Sequence, residues 1–359
     1  MRFKNYFAMF LAALILAAST ATAQAGQTIV IISKSLQNQF YQASFKGAED
    51  AGKEFGVRVI VNGPDAESNI PQQVEQVQAA INQRPNAIVL AACDPESVQD
   101  ALVKAKNNGI PVIGFDSGVP GDTSGAVVAT AATNNESAGA FVADNLADYD
   151  LFQQKVKAGT EAAPVTVAVL AQDSTSGSIV QRTTGFVNQM KKRIEAMDAS
   201  LKDAVSIGGQ TNWDLPSAKP AKVKIVVTVP PTTTPADIQA VGSAMLMVPR
   251  TAAIFAANQD AVNGFISVTA DATELNRNTG RYKDLIVVGF DAGSNQKDAV
   301  REGAFYGSVT QDPYRMGYEA IRLAVEAANG KSVADIDTGA KWYNSKNIDQ
   351  EDIAILLYD

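Results

Sequence analysis

The chain has 359 residues, of which 46% are hydrophobic and 19% charged, with 30 lysines and arginines against 38 aspartates and glutamates. That length suits two globular domains, and a net charge of −8 argues against nucleic acid or an anionic membrane surface as partner. With no histidine and one cysteine, Cys93, the sequence excludes Ser-His-Asp and Cys-His catalysis, His-ligated zinc, an internal disulfide and a cysteine metal cluster.

The first elements are those of an export signal. Arg2 and Lys4 precede an apolar run over 6–18 that is short for a bilayer span, and Ala21-Thr22-Ala23 has the A-x-A cleavage form. A signal peptide over 1–23 is expected, cut after Ala23 or alternatively Ala25, on an exported, periplasmic protein. No cysteine lies at the cleavage region for a lipid anchor, and no later stretch is long and apolar enough for a transmembrane helix.

From Thr28 the pattern alternates strand and helix. "TIVIIS" reads as a strand, and the following helix, about 40–55, carries Tyr41, Phe45, Ala48 and Phe55 on one face. "VRVIVNG" is a second strand, and 71–84 a helix with Val74, Val77 and Ile81 as its stripe. "AIVLAA" precedes a helix marked by Asp94 as N-cap, Pro95 at the first position and Gly109 as stop. "PVIGFD" and "AVVAT" complete a βαβ series, which implies a parallel sheet with right-handed crossovers. Cys93, near a strand end, reads as a small buried apolar residue.

The second half repeats the programme. "VTVAVLAQ", "KIVVTV", "AIFAAN" and "LIVVGFD" are strands, 178–196 and 235–247 helices, and Asp312-Pro313 opens a last long helix closed by Gly330. Residues 151–163 read as a solvated connector, and 198–222 as an insertion holding a strand with a surface loop. No GxGxxG follows a strand and no GxxxxGK[ST] occurs, so neither a dinucleotide nor a P-loop phosphate site is supported. The fold class expected is α/β, with two doubly wound parallel-sheet lobes.

One heptapeptide recurs. "VIGFDSG" at Val112–Gly118 returns as "VVGFDAG" at Val287–Gly293, each placing an Asp just past the C-terminal end of a buried strand. In open α/β sheets that edge is where ligands bind. Two such edges imply two domains, each offering a carboxylate to something held between them.

These elements, with S-x-x-N-x-F-[FY] at 35–41, "FAANQD" and "SVTQDPYRMG", resemble the periplasmic sugar-binding proteins of ABC importers, of the ribose-binding, type I fold. Lactose-repressor-type regulators share that fold but would begin with a helix-turn-helix, where this chain has a signal segment. The resemblance implies two lobes joined by a three-strand hinge that closes like a jaw, with crossings near Thr133, Gln311 and Asp337. The N-terminal lobe would be 27–133 plus 312–337, and the C-terminal lobe 134–311 plus 338–359. Carried over position by position, the family's ligand contacts fall on Asn38, Phe40, Tyr41, Asp116, Arg182, Asn258, Asp291 and Gln311. Lys34 stands where the family often has a small polar residue, Ser117 where ribose binders carry Arg, and Ala92 where they place Asn. The second lobe's stacking residue falls on Trp213 by motif or on Thr232 by a gapless count.

Physical chemistry supports that set beside the resemblance. A sugar's hydroxyls lose water on burial, and carboxylates and amides offset this with bonds worth roughly 1.5–3 kcal/mol each where the group is charged. Its C–H faces pack on aromatic rings. Plainer roles exist for each residue: helix N-caps for Asp116, Asp291 and Asn258, core packing for Phe40, Tyr41 and Trp213, a surface ion pair for Arg182, solvation for Lys34, hinge backbone bonding for Gln311.

The function expected is capture of a monosaccharide or related polyol by a monomeric binding protein that delivers it to a membrane ABC permease, with no catalysis, cofactor, metal or nucleic acid. The alternatives are a receptor handing a sugar or furanosyl signal to a chemoreceptor or sensor kinase without transport, and an exported carboxylate glycosidase with Asp116 and Asp291 flanking the bond.

Overall fold

Short β-branched runs and amphipathic helices alternate along the chain as their periodicities demand. The structure, a computed structural model, describes residues 26–358, so the expected signal segment and both cleavage sites lie outside the described residues. The first half runs β1 (Thr28–Ile32), α1 (Gln39–Phe55), β2 (Arg58–Asn62), α2 (Ile70–Asn82), β3 (Ala87–Leu90), α3 (Gln99–Asn107), β4 (Val112–Phe115) and β5 (Val127–Ala132). Then follow α4 (Asn135–Ala147), α5 (Asp150–Lys157), β6 (Val165–Leu170), α6 (Gly177–Met197), β7 (Val205–Gly208), β8 (Val223–Thr228), α7 (Pro235–Leu246), β9 (Thr251–Ala256), α8 (Gln259–Ser267), β10 (Ile286–Phe290), α9 (Ser294–Arg301) and β11 (Gly307–Gln311). The chain ends with α10 (Pro313–Ala328), β12 (Ile336–Asp337), β13 (Ala340–Tyr343) and α11 (Glu351–Ala354).

The strands form two sheets, ordered β12-β5-β4-β3-β1-β2 and β13-β11-β10-β9-β6-β8-β7. Every pairing is parallel except β11 with β13. Stripped of edges, the orders are the same: β2-β1-β3-β4-β5 corresponds to β8-β6-β9-β10-β11. The central strands are buried on both faces, as continuous apolar runs in helix-covered parallel sheets are.

The helices repeat the correspondence. α1, after the first strand of one sheet, packs on α10, and α6, after the first strand of the other, packs on α4. Each crossing needs glycine on both sides: a Cβ on Gly47 would lie 2.0 Å from Tyr314 O, and one on Gly185 1.9 Å from Glu136 O. Such close approach fixes each helix start relative to its sheet edge. The chain passes between the sheets after β5, returns after β11, and crosses again between β12 and β13. Thr133 Oγ1 donates to Gly339 O at 3.1 Å, and Asn134 N to Asp337 Oδ1 at 3.1 Å, tying the connections together.

Two local expectations are corrected and a third is met. Asp94 caps a turn, accepting from Glu96 N at 3.0 Å, and α3 starts only at Gln99 after Val98 has turned into the core. Residues 151–163 are not a solvated connector: they include most of α5, whose Phe152 and Val156 are fully buried. Within 198–222 the expected strand is present as β7, which extends the second sheet at its edge beside β8.

Candidate ligand-binding site

Both Gly-Phe-Asp strand ends adopt one backbone. Asp116 and Asp291 have φ of 53° and 75°, left-handed values that are uncommon for residues other than glycine and cluster at functional sites. Each N–H is anchored to the neighbouring strand, Asp116 to Ala131 O at 3.2 Å and Asp291 to Val309 O at 2.7 Å. The turn leaves both carboxylates buried on the wall of one cavity at the C-terminal edges of the two sheets.

Nine of the residues expected from sequence line that cavity together: Lys34, Asn38, Phe40, Tyr41, Asp116, Arg182, Asn258, Asp291 and Gln311. Asp291 is held by neutral donors, Gln311 Nε2 at 2.8 Å and Gln259 N at 2.9 Å. Burial pushes its pKa up, against the opposing pull of Arg182 and the Gln311 bond. Asp116 accepts from Tyr41 OH at 2.6 Å and faces the Lys34 ammonium at 3.8 Å. Burial and that carboxylate hold the Tyr41 phenol well above its ordinary range.

Lys34 is almost wholly buried. Its ammonium pairs with Glu67 Oε2 at 3.1 Å and donates to Ser176 Oγ at 2.9 Å. Burial lowers its pKa, but Glu67, Asp116 and Asp173 outweigh burial and hold it above the ordinary value. Arg182 is also buried: Nη1 donates to Ala257 O and Nη2 to Asn135 Oδ1, both at 2.7 Å, and its guanidinium lies 3.5 Å over the Phe290 ring. Burial lowers its pKa, with Asp291 opposing. Arg182 Nε and Gln311 Oε1 are buried polar atoms without a partner in the protein.

The two amides do two jobs each. Asn38 and Asn258 cap α1 and α8, accepting from Phe40 N at 2.9 Å and Ala261 N at 3.1 Å. Their amide groups reach onward, Asn38 to Asp260 and Asn258 to Gln172. Phe40 meets Tyr41 and Tyr358 edge-on, with centroids 5.2 and 6.1 Å away. Cys93 is a buried free thiol beside this network.

Two expected residues lie elsewhere. Trp213 is packed in the second sheet's core, with Nε1 donating to Thr184 Oγ1 at 2.9 Å. Thr232 is exposed ahead of α7 and donates to Asp237 Oδ2 at 2.5 Å. Ser117 donates to Ala92 O at 2.9 Å. Sequence reasoning missed Glu67, Ser178 and Ile179, which line the cavity. A signal was available for Ser178 and Ile179, which sit one helical turn before Arg182, but not for Glu67 in the loop after β2.

The cavity is thus lined by two carboxylates, a guanidinium and an amide that each keep one polar atom without a partner in the protein, aromatic rings, and the Lys34–Glu67 pair. Such a wall binds and orients a polar molecule. The sequence model of the periplasmic binding protein domain matches residues 29–332. A solved structure from Brachyspira murdochii, described as an ABC transporter, LacI family transcriptional regulator, is 36% identical, with 93% of this chain and 99% of that one covered and a TM-score of 0.76. An ABC transporter solute binding protein from Agrobacterium vitis with bound D-fucose is 26% identical over 92% of this chain and 100% of its own, with a TM-score of 0.74. The ribose import binding protein of Bacillus subtilis is 24% identical over 308 residues, 85% of this chain and 83% of its own. The chain belongs to the periplasmic binding protein family and has its type I fold.

Proposed function

We propose that the protein captures a monosaccharide or related polyol between its two lobes and delivers it to an ABC permease. The observation that carries this reading is the convergence of Asp116 and Asp291 on one cavity with Arg182 Nε and Gln311 Oε1, the one an unmet donor and the other an unmet acceptor. A hydroxyl both donates and accepts, so a polyol satisfies both atoms, and each bond to a charged group contributes roughly 1.5–3 kcal/mol. Phe40 and Tyr41 supply apolar surface for the C–H faces of a ring. The ribose and D-fucose in the relatives' names point the same way.

The lobes in this reading are 27–133 plus 312–337 and 134–311 plus 338–359, hinged where the three connections cross. Export by the segment 1–23 places the protein in the periplasm. No catalytic step is assigned: the matched family and the Bacillus subtilis and Agrobacterium vitis relatives are described as binding proteins.

Thermal-shift screening against pentoses, hexoses and sugar alcohols tests the proposal. A ligand at about 100 times its Kd adds about 2.7 kcal/mol of stability. A flat response to all three classes at millimolar concentration, repeated by calorimetric titration, overturns it.

A further inference from the structure

Beyond the inner cavity lies a larger chamber of about 300 Å³ between the two halves, with Ser35, Gln37 and Asp65 on one wall and Thr234, Gln239 and Ser267 on the other. Asn38 and Glu67 belong to the walls of both spaces. The partition at Asn38 is thin. Its amide donates to the two Asp260 carboxylate oxygens at 3.3 Å each, long bonds that a rotation of the Asp260 side chain opens while Asn38 keeps its cap on α1.

The chamber is not the gape of separated halves. On one flank Ser68 N donates to Thr233 Oγ1 at 3.0 Å, and on another Gln259 Nε2 donates to Gln39 Oε1 at 2.6 Å. The two halves are therefore in contact around a space that persists between them.

Its lining matches the surface of an uncharged sugar. Amides and hydroxyls alternate with the aliphatic surfaces of Pro235 and Ile238, as a ring alternates hydroxyls with C–H faces. The charged residues of the wall are Asp65, Glu67 and Asp260, with no lysine or arginine among the described lining residues, which disfavours sugar acids and phosphates. Volume agrees. Small-molecule pockets usually span about 300–1,000 Å³, and the outer chamber's roughly 300 Å³ gives room for one sugar unit beyond the inner cavity.

We propose that the outer chamber is a second subsite and that the ligand is an uncharged disaccharide or glycoside. One ring sits against Asp116 and Asp291, and the second unit occupies the outer chamber, with the linkage passing between Asn38 and Asp260. This rests on the sugar-binding reading above, because the same carboxylates hold the inner ring.

The test is calorimetric titration of the purified protein with lactose, melibiose, maltose, trehalose and sucrose beside D-galactose, D-glucose and D-fructose. At least one disaccharide is expected to bind ten-fold or more tightly than its component monosaccharides. Ser267→Trp and Gln239→Trp, which fill the outer chamber only, are expected each to abolish that gain while leaving monosaccharide affinity within three-fold. Binding of monosaccharides with no gain from any disaccharide overturns the second subsite and leaves the sugar-binding reading standing. So does a gain that both tryptophan variants retain. No binding by any of the eight sugars overturns the second subsite, and with a flat response to pentoses and sugar alcohols as well it overturns both.

Discussion

The two halves agree up to the strand ends and part immediately beyond them. Two residues past β1 stands Lys34, and two past β6 stands Gln172. Two residues past β3 stands Ala92, and two past β9 stands Asn258. In the second half the two positions hold an amide pair, Asn258 donating to Gln172. In the first half they hold a cation and a methyl group, and the cation draws Glu67 and Asp116 around it. One residue past β4 and β10 the aspartates are the same, down to their left-handed backbone. The repeated backbone thus delivers equivalent carboxylates, while the partners that tune them were chosen separately: neutral donors for Asp291, an ionic cage for Asp116.

The sharpest way to break that contrast is to remove the cation. Lys34→Met leaves Glu67 buried without its partner, and breaking a buried pair in this way costs about 3–5 kcal/mol of folding stability. Lys34→Met with Glu67→Gln restores most of it, since the stranded charge is then gone. Urea denaturation of both variants measures the difference. A single variant within about 1 kcal/mol of wild type means that the cage is solvated and the halves are electrostatically alike.

The next effect falls on binding in the other half. Asp291→Ala removes the acceptor from ligand hydroxyls and strands the Gln311 amide and Gln259 N–H that now bond it. More than about 2 kcal/mol of binding free energy is expected to be lost, roughly a 30-fold rise in Kd. Titration with the tightest sugar found in screening measures it, and a Kd within three-fold of wild type takes Asp291 out of the site.

What was legible from sequence follows the same divide. Strand ends, helix caps and the repeated Gly-Phe-Asp are local signals, so the two sheets, Asp116 and Asp291 could be read directly, while the other seven lining residues came from the family resemblance. Asp94-Pro95 misled because the same pair that opens a helix also opens a turn, and α3 waits for Gln99. The helix over Asp150–Lys157 was missed because its apolar content is small, and its place is set by Phe152 and Val156 packing into the second core. Trp213 was drawn toward the ligand by motif, but its indole N–H found Thr184. Glu67 escaped because nothing near it in sequence announces a partner. Its role appears only when Lys34, from another loop, is brought within 3.1 Å.

The mildest effect at any one pH is the titration of that cage. Burial pushes the Glu67 carboxyl up to about 7 from its ordinary 4.5, even with Lys34 beside it. Between those values the native chain holds a proton that the unfolded chain has released, so this group's contribution to stability falls as pH rises through the window and is level above it. Burial raises Asp173, Asp260 and Asp291 with the same sign. Lys34, held above its ordinary value, stays charged throughout and adds no slope there. Surface carboxylates slope the other way, so the informative quantity is Tm of wild type minus Tm of Glu67→Gln, measured from pH 4.5 to 8. It is expected to decline toward pH 7 and then flatten. A difference that stays constant with pH means Glu67 ionises in the folded protein as it does in water, and the ionic cage that sets the first half apart from the second is then open to solvent.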